Sequence, residues 1–191
     1  MMYLLALENV TDTDLEKLPN EINRAARMAI NKAAERGRGW FARDMLDQVA
    51  FPGNYLAPST GRLRVERNAT DADLESSIAG RRRPTSLARF STGSRKNGIH
   101  VQVKPGRTRK MSNAFIMNLR SGNEGLAVRT KGGQPPAKAF KPKSLGRGLW
   151  LLYGPSVDQV FRGMIEQEDR AYGRIEQFLG AEFERLLDLK L

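Results

Sequence analysis

Side chains that could carry out acid–base chemistry are few in this chain. The single histidine, His100, lies between Ile99 and Val101 in a pattern of alternating apolar and polar residues. Such alternation is typical of a half-buried strand, and it places His100 on the polar face. We therefore predict a solvated or hydrogen-bonded histidine at this position, and not a general base.

Metal and phosphate sites lack the spacing that they need. The chain contains no cysteine, which excludes disulfides, thiolate metal sites and cysteine nucleophiles, and fits assembly in a reducing cytoplasm. Acidic residues gather at Asp71, Asp73 and Glu75, where a turn before a strand is favoured over a weak cation site. No glycine-rich segment has the spacing of a phosphate-binding loop. The sequence predicts a protein that is not an enzyme and that has no catalytic residue, metal site or cofactor.

The positive charge is concentrated in the middle of the chain, although the whole chain is basic, with a net charge of +11. Residues 61–147 hold 20 basic and 5 acidic side chains, a net charge of +15. Residues 1–60 carry a net charge of −1 and residues 148–191 a net charge of −3. A cationic segment of this size should attract nucleic acid or an acidic protein surface.

Three clusters of basic residues are the candidate contact sites. They are Arg81, Arg82 and Arg83; Arg107, Arg109 and Lys110; and Lys138, Lys141, Lys143 and Arg147. All three are expected at loops or strand ends, where long cationic side chains can reach carboxylates or phosphates. A solvated strand end is the alternative for the arginine triplet. Few aromatic residues lie among the clusters, so a nucleic-acid contact would involve backbone phosphates rather than base stacking.

Two long helical patterns flank the basic middle. Apolar residues recur every three or four positions from residue 12 to 49, with a break or kink predicted at Pro19 and an end at residues 52–54. A second apolar stripe follows Pro155 and extends to Leu187, which predicts one long helix. Both stripes must be covered by the core or by another subunit. The candidate core or interface residues are Trp40, Phe41, Phe161, Tyr172, Phe178 and Phe183.

A period of two replaces the helical spacing between residues 61 and 130. The alternating segments are 63–65, 74–78, 99–103, 114–117 and 126–128. The last two flank a glycine-containing turn at 121–125, which predicts a hairpin. Residues 1–7 are also expected to form a strand and not a signal peptide. Gly, Pro, Ser and Lys dominate residues 131–147, which we predict to be an extended loop.

Together these elements predict a single α+β domain over residues 1–191. A small antiparallel sheet would pack with a long N-terminal helix and a long C-terminal helix, and the basic, loop-rich region 61–147 would lie between the helices in sequence. No run of 18 apolar residues occurs, so no membrane span is expected.

Four segments together resemble the minor tail protein Z and tail-completion family of lambda-like bacteriophages. They are Asn23–Asn31; Arg83–Phe90; Ala114–Leu119 followed by Ser121-Gly122; and Leu152–Val157 followed by Val160-Phe161. Their order and spacing cover about residues 20–165, whereas the first twenty residues and the end of the last helix carry little of the resemblance. The family offers no catalytic motif, so the resemblance implies a role and no active site.

That role is structural. The resemblance implies a virion protein that completes the head-proximal end of a phage tail, the neck, after assembly in the host cytoplasm. It further implies a homo-oligomeric ring, with a hexamer favoured, beside tail terminator or head–tail connector proteins. The basic residues would then meet acidic neighbours or the backbone of phage DNA. The alternative is a basic nucleic-acid-binding module that contacts the DNA backbone; a hydrolase is a third alternative, for which no residue pair can be named.

Overall fold

The structure, a computed structural model, describes residues 3–6, 20–93, 98–137, 142–165 and 169–189. The chain divides into two compact units. The first unit comprises Met1–Asp44, Leu56–Arg81 and Phe161–Leu191, and the second comprises Met45–Tyr55 and Arg82–Val160. The prediction of a single domain over residues 1–191 stays a prediction.

The helices of the described chain are α1 (Asn20–Gln48), α2 (Val157–Ile165) and α3 (Asp169–Asp188). Within the first unit, α1 and α3 pack together through small residues. Ala25 and Ala29 of α1 are fully buried beside Leu186 of α3, and Leu179 and Phe183 pack against the same cluster. Alanines spaced four residues apart lie on one helix face, and their small side chains allow the second helix to approach closely.

Gly37 marks another close contact of α1 within the first unit. A Cβ atom added to Gly37 would lie 2.9 Å from Cδ1 of Ile175 in α3 and 3.7 Å from Cδ1 of Ile78. A glycine inside a helix costs roughly 0.5–1 kcal/mol relative to alanine. The close approach of Ile175 gives a packing reason for a residue that helix propensity alone disfavours.

The sheet of the first unit contains β1 (Tyr3–Ala6), β2 (Leu63–Arg67) and β3 (Glu75–Gly80). Its order is β1-β3-β2, and both pairings are antiparallel. The central strand β3 is buried at successive positions, including Ser76 and Ser77. Ser76 Oγ donates a hydrogen bond to the carbonyl oxygen of Arg67 at 2.7 Å, so the burial of this hydroxyl is compensated.

The second unit contains most of the strands. They are β4 (Thr85–Ser86), β5 (Ser91–Gly93), β6 (Ile99–Lys104), β7 (Arg107–Met111), β8 (Ala114–Asn118), β9 (Glu124–Arg129), β10 (Lys143–Gly146) and β11 (Leu149–Gly154). One sheet has the order β5-β6-β7, and the other has the order β10-β11-β9-β8 with β4 paired to β11. Short 3-10 turns occur at Pro58–Thr60 in the first unit and at Leu87–Phe90 in the second.

Aromatic side chains build part of the core of the second unit. The rings of Phe51 and Tyr55 stack with centroids 5.2 Å apart, and the Tyr55 hydroxyl lies 3.1 Å from Thr85 Oγ1 in a buried hydrogen bond. The ring of Phe90 fills the space beside Gly154, where an added Cβ would lie 2.7 Å from Phe90 Cε2. The second unit therefore has its own buried aromatic packing.

The α+β class is confirmed, with antiparallel strands and N- and C-terminal helices that pack together. Strands are confirmed at the N-terminus and in each alternating segment of the sequence. Strands β8 and β9 form the expected hairpin, in which Asn118 lies opposite Glu124. The described strands form three sheets. The sequence did not predict this division, since a two-residue period identifies a strand but does not say which sheet it joins.

The prediction of an extended loop over residues 131–147 is wrong for part of its length. Residues 143–146 were expected in the extended loop 131–147, but they form β10, which pairs with β11 so that Ser144 lies opposite Trp150. The connection places Arg147 (φ 49°) and Gly148 (φ 70°) in the left-handed region, as tight hairpin turns require. The segment has the composition of a loop because Gly146, Arg147 and Gly148, which all have positive φ, form the turn.

Some predictions fall outside the described residues. They concern the break at Pro19, the helix before it and the continuity of the last apolar stripe, which is described as α2 and α3 without residues 166–168. Among the described helices, none has both the length and the apolar character needed to cross a membrane.

Candidate functional site

The positive charge of the chain belongs to the second unit. This unit contains 16 basic and 3 acidic residues, a net charge of +13, whereas the first unit contains 16 basic and 18 acidic residues, a net charge of −2. Several cations of the first unit pair with acids of the same unit, as Arg27 does with Asp71 at 3.0 Å and Arg67 with Asp73 at 3.1 Å. The second unit has too few acids to neutralise its cations in this way, so its surface attracts anions.

A groove of about 880 Å³ lies within the second unit, between the β6–β7 hairpin, strand β11 and the start of α2. Its floor is apolar and includes the buried side chains of Val101, Leu152 and Val160. Basic residues border it, and these rim residues are Lys104, Arg107, Arg109 and Lys110. The groove thus combines an apolar floor with a cationic rim.

The register of the β6–β7 hairpin decides which basic side chains face the groove. Arg109 lies opposite Val101 and Met111 lies opposite Ile99, so these four residues share one face of the sheet. Arg107 precedes Arg109 by two residues and lies on the same face. Lys110 lies opposite His100 on the other face of the sheet, although atoms of Lys110 also border the groove.

The rim cations are available for a partner. Arg107, Arg109 and Lys110 are exposed, as is Lys104. Among the described residues, none of these four forms a salt bridge. Strand β7 is also the outer strand of the sheet β5-β6-β7, so one row of its backbone N–H and C=O groups has no partner strand within the described part of the chain.

The expectation that Arg107, Arg109 and Lys110 lie in a loop or at strand ends is wrong for two of them. Arg109 and Lys110 are inside β7, because Pro105 and Gly106 (φ 72°) make a tight turn and the strand resumes directly at Arg107, opposite Lys104. A strand holds its side chains in a defined direction, which a loop does not.

The other two basic clusters lie elsewhere. Arg82 and Arg83 are exposed in the segment between β3 and β4, and the half-buried Arg81 donates its backbone N–H to the carbonyl oxygen of Arg62 at 2.7 Å. Lys143 and Arg147 are exposed on β10 and in the turn that follows it. Lys138 and Lys141 lie outside the described residues. Of the described basic candidates, only the second cluster borders the groove.

The aromatic candidates lie in the first unit. Phe41 and Phe161 are buried edge-to-face, with centroids 4.9 Å apart and an interplanar angle of 84°. Trp40 and Phe178 meet in the same way at 5.8 Å. Tyr172 and Phe183 are half-buried on α3, and Phe183 packs against the cluster of Ala25 and Ala29.

Sequence reasoning missed Glu182, a nearly buried carboxylate of α3. Its oxygen Oε1 accepts a hydrogen bond from Lys32 Nζ at 2.8 Å, and both of its oxygens lie 3.1 Å from Arg185 Nε. Hydrogen bonds from Arg185 and then Lys32 lower the pKa of Glu182 from 4.5 to about 2. A carboxylate held ionised in this way is a poor proton donor, and its partners give it a structural role in joining α1 to α3.

The single histidine of the chain lies on β6 opposite a basic residue. His100 is half-buried on β6 beside Lys110 in register, which is a basic neighbour and not an acid. Across the described ranges, no group of three or more His, Asp or Glu side chains could hold a metal ion. The sequence analysis did not predict the groove. The alternate spacing of Arg107, Arg109 and Met111 was the signal that could have identified it.

No protein-family model, curated protein or solved structure matches the chain.

Proposed function

We propose that this chain is a structural protein of a tailed bacteriophage that completes the head-proximal end of the tail. It acts by assembly: copies form a ring, with a hexamer favoured, in the neck of the virion after synthesis in the host cytoplasm. Its neighbours would be tail terminator or head–tail connector proteins. The observation that carries the proposal is the net charge of +13 on the second unit, with rim cations that form no salt bridge to any residue that the structure describes.

The resemblance to the tail-completion family supports the same role through segments that form the framework of the unit. Arg83–Phe90 contributes β4 and the 3-10 turn, Ala114–Leu119 contributes β8, and Leu152–Val157 joins β11 to α2. Leu87 and Leu152 from these segments also line the groove. Segments of this kind would serve to shape a docking surface.

The test is assembly in solution and in particles. The purified chain should form a ring, and six copies of 21.4 kDa would give a mass of about 128 kDa by mass photometry. Phage particles that lack the chain should have defective necks and should regain infectivity when the chain is supplied. A chain that stays monomeric with the tail terminator present and never enters particles would refute the proposal, as would complete and infectious particles formed without it.

The second candidate is a module that binds the DNA backbone. It is favoured by exposed cations outside the groove, namely Arg82, Arg83, Lys143 and Arg147. Binding to duplex DNA should then weaken steeply as salt rises. The variant Arg82→Ala/Arg83→Ala should make the dependence of log K on log salt shallower by about two, since each phosphate contact contributes roughly 0.9. Unchanged DNA binding together with defective particles would instead favour the assembly function.

A further inference from the structure

We infer that the groove of the second unit binds an extended, acidic segment of a partner protein that also carries apolar side chains. The inference rests on the proposed assembly function for its biological meaning, because it names the chemistry of the partner.

The floor selects apolar side chains. Val103, Met111 and Tyr153 line the groove and are half-buried, so they leave apolar surface exposed to it. The neighbouring lining residues Val101 and Leu152 are buried. Binding of an apolar side chain over this floor removes apolar surface from water, which is favourable by about 25 cal/mol per Å². A purely ionic ligand would leave this surface unused.

The edge of β7 favours an extended occupant. The five residues of this strand pair only with β6 among the described strands, so the outer row of backbone groups faces away from the sheet. An extended chain can pair with such an edge, and its alternate side chains then point toward the groove. A helix offers no free backbone groups along its length and would gain nothing from this edge.

The rim selects negative charge. Arg107 and Arg109 lie two residues apart on β7, opposite Lys104 and Val101, and the register of β6 shifts between these two partners. Guanidinium groups bind carboxylates through paired hydrogen bonds, and an acidic segment would supply the counter-charge that the second unit lacks. Basic residues on an edge strand can also serve only to prevent sheet-to-sheet aggregation. That role needs no apolar floor beside the cations, and the groove has one.

The experiment uses the full chain and a defined probe. The probe is a fluorescent twelve-residue peptide with three repeats of Glu-Glu-Val-Val, which places both residue types on each face of an extended chain. Two comparison peptides replace glutamate by lysine or valine by serine. Binding is measured by fluorescence anisotropy, with a short duplex DNA as the competitor.

The variant pair separates the groove from general charge. Arg107→Glu/Arg109→Glu reverses two rim charges, and Arg120→Glu/Lys131→Glu makes the same change at exposed positions of the second unit that do not line the groove. Circular dichroism spectra and melting curves of both variants should match those of the unaltered chain. The probe should bind the rim variant at least about tenfold more weakly than the control variant, in line with the loss of two charge-assisted contacts.

The outcomes are distinct. The inference is supported if binding of the probe needs the rim arginines and if both comparison peptides bind more weakly than the probe. No binding at millimolar peptide, equal affinity for the two variants, or equal affinity for the serine peptide would overturn it. Displacement of the probe by duplex DNA at a far lower concentration than that of the probe would assign the groove to DNA. Self-association that is lost only in the rim variant would assign the groove to a second copy of the chain. Either result would overturn the inference. The peptide and DNA results depend neither on ring formation nor on entry into particles, so the proposed function is tested separately.

Discussion

Truncation of Phe161 to alanine should destabilise the chain by about 3–5 kcal/mol, the usual cost of removing a buried phenylalanine ring. Phe161 is 2% exposed, and its ring meets that of Phe41, which is 3% exposed, edge-to-face at 4.9 Å. Of the total cost, about 0.5–1.5 kcal/mol belongs to the specific ring–ring contact. Because native proteins are stable by only about 5–15 kcal/mol, the loss should be large compared with the whole free energy of unfolding.

Urea unfolding followed by circular dichroism measures this loss as a lower midpoint with little change in slope. The matched control is Phe115→Ala, which removes the same ring from a site that is 40% exposed and should cost much less. A double-mutant cycle with Phe41→Ala isolates the pair, and its coupling free energy should be about 0.5–1.5 kcal/mol. The packing argument is wrong if Phe161→Ala costs no more than Phe115→Ala, or if the two truncations in the cycle are simply additive.

Two further predictions concern stability. The folded-state pKa of Glu182, about 2, lies below its ordinary value of 4.5, so its ionised form stabilises the fold above about pH 4.5 and this contribution is lost as the pH falls toward 2. The variant Glu182→Gln should therefore melt below the unaltered chain at pH 7, and the difference should shrink toward pH 2; a difference that is constant with pH would contradict this. Gly98→Ala should destabilise the chain by about 1–3 kcal/mol more than Gly106→Ala in chemical denaturation. Both glycines have positive φ, but only at Gly98 would the new Cβ meet backbone, 2.5 Å from the carbonyl oxygen of Met111; equal losses would contradict this.

The sequence alone was sufficient for helix α1, for strands β1, β2, β3, β6, β8 and β9, and for the sign of the charge. Strand β6 and the β8–β9 hairpin follow from alternation and turn residues, because side chains in a strand point alternately to two faces. Helix α1 follows from apolar residues at three- and four-residue spacing. These signals are local, so they need no knowledge of which segments meet. The excess of cations in the middle of the chain is likewise a property of composition.

Tertiary structure decided which residues act together. The groove joins β7 to β11 and the start of α2, which lie about 40 residues away in the chain, and no periodicity reports such a pairing. The pKa of Glu182 is lowered first by Arg185, three residues along the same helix, and then by Lys32, which is 150 positions distant, so only the second of these contacts needs the tertiary structure. Strand β10 exists because β11 is beside it, although its own composition is that of a loop. The spacing of apolar residues and the distribution of charge can be determined from the sequence. Burial, strand register and part of a pKa shift depend on contacts between segments that only folding brings together.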